Sequence, residues 1–258
     1  GGVMSKLNSG RESLIPIARD VIKHAKAGTI KQASQVMRLP ATHYTDSNRF
    51  KDEVERVIKR VPIILGPSCE ISKPGDFKTL SIAGMSLIVS RAEDGSVHAM
   101  INACSHRGAC LTKDESGNRR RFTCPYHGWS FSNVGDLIAV SAEKDFGTID
   151  KSDYGLMSLP VYESAGLIWA ILNPNSKVDI PAFLSGYDKM LDTFAFSDWV
   201  YVSKRKFSGP NWKIAYDGYL EYYHVPVLHR DTFGIDATNQ GLYYAWGPHQ
   251  HIKSPATE

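Results

Sequence analysis

The sequence predicts an α+β chain in three parts: a helical leader over residues 1–61, a small all-β domain over 62–175, and the start of an α+β domain over 176–258. Three observations predict it. Apolar residues recur at helical spacing in the leader, and short apolar runs broken by Gly, Pro and Ser follow from Val61. Two Cys/His pairs then fall between those runs, where a rigid scaffold presents functional loops.

In the leader, Ile15, Ile17, Ala18, Val21 and Ile22 mark one helix. Phe50, Val54, Val57 and Ile58 mark another, capped by Asp46-Ser47, with Leu39-Pro40 and His43 to Asp46 as the turn between them. Strands are expected at Pro62–Leu65, Lys78–Ile82, Ser86–Ser90 and Val97–Ile101, with Asp94-Gly95 turning the chain between the last two. Trp129-Ser130-Phe131 and the Asn133–Leu137 turn form a further hairpin, and Leu159–Glu163 and Leu167–Leu172 close the set. Evenly spaced short strands of this kind make a small β domain. Asn173-Pro174-Asn175-Ser176 reads as a linker, Tyr187–Phe194 as a short helix and Trp199–Phe207 as a strand.

Composition narrows the function classes. With 42% hydrophobic and 22% charged residues, the 258-residue chain is ordinary globular material. The net charge of +3 is dispersed, which argues against nucleic acid as a partner. Arg119-Arg120-Arg121 is the densest basic run and reads as a solvated hairpin tip, with docking of an acidic electron donor as a second reading. No apolar run reaches the roughly 18–20 residues of a membrane helix. The start, Gly1-Gly2-Val3-Met4, has no signal-peptide pattern and its glycines read as a cloning remnant. Cys69 and Cys110 are expected to be reduced and the protein cytoplasmic.

The chemistry is concentrated in Cys104-Ser105-His106 and Cys124-Pro125-Tyr126-His127, separated by seventeen residues. Two thiolates and two imidazoles in this order suit a [2Fe–2S] cluster with one sulfur-held and one nitrogen-held iron. A structural zinc site is the competing reading, although it usually opens with Cys-x2-4-Cys. Four unrelated core residues are the plainest alternative. Gly108, Pro125 and Gly128 suit tight ligand-bearing loops.

Cys-x-His-Arg-Gly-Ala-x-Leu followed by Cys-Pro-Tyr-His-Gly-Trp resembles the Rieske motif of ring-hydroxylating oxygenases. The resemblance implies Cys104, His106, Cys124 and His127 as cluster ligands, with Trp129 beside them. Respiratory Rieske subunits carry an extra Cys in each loop. Ala109 and Tyr126 stand there instead, which turns the resemblance toward the oxygenase type and the lower end of the Rieske potential range.

A second site is expected in Asn211-Trp212-Lys213 to His229. Asp217, Glu221 and His224 sit at i, i+4 and i+7, so a continuous helix would align them, with Pro226 breaking it afterwards. Two histidines beside carboxylates can hold ferrous iron with open positions for dioxygen; packing among Tyr219, Tyr222 and Tyr223 is the alternative. The stretch resembles the oxygenase family's Asn-Trp-Lys…Glu-x-x-Tyr-His-x4-His run. That resemblance implies His224 and His229 as ligands of a mononuclear Fe(II) and Glu221 as the carboxylate bridging toward a neighbouring subunit's cluster. Asp217 would orient a ligand histidine. Asp is commoner at the Glu221 position, and relatives with Glu there include some that oxidise quaternary amines. Gly218 replaces a common Asn. The family's third ligand, an Asp well over a hundred residues further on, has no counterpart after Asp236, so the catalytic domain, helix-grip-like in this family, is expected to be incomplete.

The resemblance therefore implies the oxygenase component of a multi-component Rieske mono- or dioxygenase. Its partners would be a separate NADH-dependent reductase, with or without a ferredoxin, together with dioxygen and a small aromatic or other apolar substrate. A homotrimer is expected, with or without a β subunit. A Rieske ferredoxin-like electron carrier is the alternative.

Overall fold

In the computed structural model, residues 2–234 and 238–254 are described, with side chains from Gly10 onward. Gly1 of the glycine start and Asp236 lie outside the described residues. The chain forms two compact units. One runs from Glu53 to Pro181 and adds Ala195–Val202; the other combines the leader up to Asp52 with Ala182–Phe194 and the segment from Ser203 onward.

The strands of the first unit pair antiparallel throughout, with short helical turns between them. Its five-stranded sheet runs in the order Ser116–Asn118, Asp76–Ile82, Met85–Arg91, Val97–Ile101, Ser158–Leu159. One three-stranded sheet orders Ile63–Pro67, Leu167–Ala170 and Val161–Ser164; the other orders Arg121–Thr123, Ser130–Ser132 and Leu137–Ala139. The strand Met85–Arg91 carries the continuous apolar run Leu87-Ile88-Val89 because both its faces are covered. Leu87 and Val89 join one core with Leu65, Val97 and Ile168, while Ile88 joins a second with Phe77, Phe122 and Phe131. The Asp94-Gly95 turn forms as expected: Ala92 N–H donates to Ser96 O at 2.8 Å, and Gly95 takes φ 86°.

Arg119-Arg120-Arg121 is not a hairpin tip. The strands on either side of it belong to different sheets, so the run is a crossover. Arg119 pairs with Asp114 and lies over the Phe77 ring at 5.3 Å, and Arg120 meets Glu93 at 2.8 Å. Acids within the domain thus already meet two of the three charges. This weakens the donor-docking reading.

In the second unit the leader helix Gly2–Ala27 passes against Tyr187–Leu191. Gly10 permits this, since a Cβ there would lie 2.2 Å from Lys189 O. The stretch expected as a turn before Asp46 is a short helix, Thr42–Thr45. The strand expected over Trp199–Phe207 does not form. Val200, Val202 and Phe207 are more than 80% exposed, and the segment runs from one unit into the other without a ladder partner among the described residues. β-branched and aromatic residues favour a pleated surface only when another strand supplies it. A hairpin, Leu242–Trp246 with His249–Lys253, completes this unit.

Candidate metal centres

The two loops of the β unit repeat one design. In the first, Gly108 N–H donates to Cys104 O at 2.7 Å and Cys104 N–H to Ala109 O at 2.8 Å. In the second, Gly128 N–H donates to Cys124 O at 3.0 Å and Cys124 N–H to Trp129 O at 2.7 Å. Both glycines adopt φ 72°, a left-handed conformation that disfavours any side chain. Each loop therefore turns at the fourth residue after its cysteine.

Cys104 and Cys124 are buried at 3% exposure in the core of Phe122, Phe131 and Leu137, and their thiols lie within hydrogen-bonding reach of each other. Burial pushes the Cys104 thiol up, and the neighbouring Cys124 adds to the effect, while backbone N–H groups of His106 and Arg107 oppose it. The imidazoles sit at the rim, with His106 half-buried and His127 exposed. Their ring centroids are 4.8 Å apart. His106 stacks on Trp129 at 4.8 Å and 9°, and Tyr126 stacks on His127 at 3.8 Å. Burial holds His106 below the ordinary imidazole range, helped by His127 and Arg107.

This arrangement fits a cluster with differentiated irons: sulfur donors inside, nitrogen donors at the mouth, all four on two matched loops. The Trp129 indole N–H is buried with no partner among the described residues, an orphan donor in the same core. Cys69 and Cys110 carry no disulfide, and Cys110 Sγ donates to Thr112 O at 3.2 Å.

The second site departs from the expected geometry. The helix Trp212–Leu220 ends before Glu221, which is extended at φ −122° and ψ 136°. Asp217, Glu221 and His224 thus do not share one helical face. Pro226 does not break that helix either; it occupies the first turn of the next one, Val225–Leu228, where its missing N–H costs nothing. The extended Glu221 instead folds its carboxylate back onto His224. One oxygen accepts from the His224 backbone N–H at 3.1 Å and the other from the imidazole Nδ1. Burial pushes the Glu221 carboxyl up, but the His224 hydrogen bonds outweigh it and hold the group below its ordinary value.

An ionised carboxylate only accepts, so Nδ1 carries the proton and Nε2 keeps its lone pair for a metal. The His224 and His229 rings meet edge to face, with centroids 5.2 Å apart and planes at 67°. Among the described residues no three His, Cys, Asp or Glu side chains converge on one point. Two imidazoles with a carboxylate-fixed tautomer fit the histidine half of a ferrous site.

Asp217 behaves differently from the expectation that it orients a ligand histidine: its Oδ2 accepts from the Tyr44 hydroxyl at 2.7 Å. Sequence reasoning assigned no site role to Tyr44, nor to Tyr243, whose hydroxyl donates to Leu220 O. Spacing cannot reveal a partner 173 residues away.

A family model described as "Rieske [2Fe-2S] domain" matches residues 61–162, and one described as "Ring hydroxylating alpha subunit (catalytic domain)" matches 196–257. The chain belongs to the Rieske ring-hydroxylating oxygenases. It therefore carries a Rieske [2Fe–2S] domain and a catalytic domain of the mononuclear-iron type. It is 33% identical over 198 residues to the benzene 1,2-dioxygenase alpha subunit of Pseudomonas putida, covering 74% of this chain and 44% of that one. It is 30% identical over 209 residues to the glycine betaine monooxygenase oxygenase subunit of Pseudomonas aeruginosa, covering 80% and 48%. A crystal structure of a quaternary ammonium Rieske monooxygenase with L-carnitine superposes with TM-score 0.75 at 25% identity, covering 83% of this chain and 61% of that one. This Rieske oxygenase chain thus spans less than half the length of the two curated relatives. No helix among its described residues is long and apolar enough to cross a membrane.

Proposed function

We propose that the chain is part of the terminal oxygenase component of a multi-component system. It would take NADH-derived electrons from a separate reductase, directly or through a ferredoxin, and use dioxygen to hydroxylate, dihydroxylate or demethylate a small organic substrate. When bound, the [2Fe–2S] cluster supplies single electrons and the mononuclear iron activates dioxygen.

In this reading the protein's residues act as follows. Cys104, Cys124, His106 and His127 hold the cluster, and Trp129 fixes the plane of His106 by stacking. Arg107 and His127 keep the rim of the cluster site polar and accessible. His224 and His229 hold the iron, and Glu221 keeps the proton on His224 Nδ1. Because Glu221 is also partly exposed, its carboxylate can meet a cluster histidine of a neighbouring subunit, as a homotrimer with or without a β subunit would require. The whole assembly would work in the cytoplasm.

The observation that carries this proposal is the Glu221-oriented His224/His229 pair downstream of a complete Rieske donor set. A ferredoxin-like carrier would need only the latter, and the match at 196–257 leaves that reading without support. Substrate class stays between aromatic rings and N-methylated amines, the compounds named for the benzene, glycine betaine and L-carnitine relatives. The test is electron paramagnetic resonance and acid-labile sulfide on the purified protein, then oxygen uptake with reductase and a panel of both substrate classes. Zinc without labile sulfide sinks the cluster. Substrate-dependent oxygen uptake that survives His224→Ala sinks the iron site.

A further inference from the structure

We propose that Tyr44 is a positioning residue for the iron site, acting through Asp217 on the Glu221–His224 pair. The inference rests on His224 and His229 being iron ligands. Tyr44 grips the helix Trp212–Leu220 twice. Its main-chain O accepts from the Asn211 side-chain Nδ2 at 3.0 Å, and its hydroxyl donates to Asp217 Oδ2 at 2.7 Å. Asn211 is the N-cap of that helix, its own Oδ1 accepting from Lys213 N–H at 3.0 Å. One residue of the leader thus holds both the cap and a position nearly two turns further on.

The other end of the same helix is held as well, because the Tyr243 hydroxyl donates to Leu220 O. Leu220 is the last residue before Glu221 leaves the helix in an extended conformation. Fixing the helix at its start, middle and end fixes the point from which Glu221 turns back to His224.

The polar partners are divided in the same way. Glu221 takes both His224 N–H groups, and Asp217, exposed on the helix, takes the Tyr44 hydroxyl. The Tyr44 phenol is the donor that engages Asp217. That hydrogen bond raises the Tyr44 phenol above its ordinary value, as expected for a donor held by an anion. Partners one bond removed from a metal ligand typically change metal affinity about 10–100-fold. Glu221 is that partner here, and Tyr44 acts one step further out, through Asp217 and the helix, so a smaller change, a few-fold, is expected.

The experiment uses the cluster-loaded protein with the mononuclear site stripped and titrated with Co(II), read by its d–d absorption. Tyr44→Phe removes only the hydroxyl and leaves the carbonyl on Asn211. It should weaken Co(II) binding a few-fold and alter the d–d band, with the Rieske paramagnetic signal and thermal midpoint unchanged. Asp217→Leu breaks the same bond from the exposed helix side, without touching the leader, and should match it. The double variant should lose no more than either single. Asp217→Asn, whose amide oxygen still accepts from Tyr44, should retain most of the affinity. Wild-type affinity and band in Tyr44→Phe, or additive losses in the double variant, overturn the proposal. A His224→Ala control separates the two readings. If it binds Co(II) like wild type, the iron-site assignment itself fails; if it does not while Tyr44→Phe is silent, only the role of Tyr44 fails.

Discussion

The two metal centres of this chain are prepared in opposite ways. The cluster loops are set by packing and backbone: thiols sunk in a core of phenylalanines, and two left-handed glycines turning the chain at matched positions. His224 and His229, the proposed iron ligands, are only partly buried; His224 is set by hydrogen bonds to Glu221, and tyrosines hold the helix before it. A packed site should fail abruptly when a ligand or turn is changed. A hydrogen-bonded site should lose affinity in steps.

The largest effect should come from the cysteines. Cys124→Ser is expected to abolish the cluster, with loss of visible absorption, labile sulfide and the reduced paramagnetic signal. It should also lower stability, because a hydroxyl then sits at 3% exposure with no assured partner. His224→Ala comes next and sharpens the contrast. Its expected result is an intact cluster signal, with mononuclear iron content and oxygenation lost by more than the about 10–100-fold of an outer partner. If His224→Ala also removed the cluster signal, the independence of the two sites would be broken.

The same contrast decides what could be read from sequence. The Rieske domain was legible because its Cys/His pairs fall at two-residue and three-residue spacing on two loops, and Gly108 and Gly128 mark where each loop turns. The strands around these loops were legible as well, since burial on both faces of Met85–Arg91 leaves the apolar run Leu87-Ile88-Val89 at its centre. The second site was named by its residues but not by its geometry. Spacing of i, i+4 and i+7 assumes a continuous helix, whereas the helix stops at Leu220 and an extended Glu221 reaches back across three residues. Tyr44 was invisible as a partner, and Trp199–Phe207 had strand composition without a neighbouring strand, because both depend on contacts that local pattern does not encode.

The glycines allow a finer test within the packed site. Gly108→Ala and Gly128→Ala each place a side chain in left-handed backbone, costing about 1–2 kcal/mol. They are not equivalent. A Cβ at Gly108 meets open space, whereas one at Gly128 comes within 3.3 Å of the Ser141 Cβ. Thermal unfolding should therefore rank Gly128→Ala as the less stable variant. Equal midpoints would mean that strain alone, and not packing around the second loop, governs the cost.

The smallest expected effect concerns pH and compares the two units through one carboxylate in each. In the β unit, Glu163 receives both arms of Arg91, at 2.7 and 3.1 Å, with Arg91 itself buried. Burial pushes the Glu163 carboxyl up, but the Arg91 hydrogen bonds outweigh it and leave it below 4.5. In the leader unit, Asp20 is held below its ordinary value by Lys31 and Tyr244, at 2.7 and 3.0 Å, in a more open setting. A carboxyl whose folded pKa is depressed contributes stability that is complete above its unfolded value and is lost as pH falls through the folded one. The β unit should thus soften below about pH 4.5, and the leader unit below about pH 3.8. Glu163→Gln should flatten that acid limb more than Asp20→Asn, because a two-armed pair with a buried guanidinium is screened less than an exposed one. Midpoints measured between pH 3 and 7 for the two variants give the ranking. A larger effect at Asp20 would place the acid-sensitive contact in the leader rather than in the packed β unit.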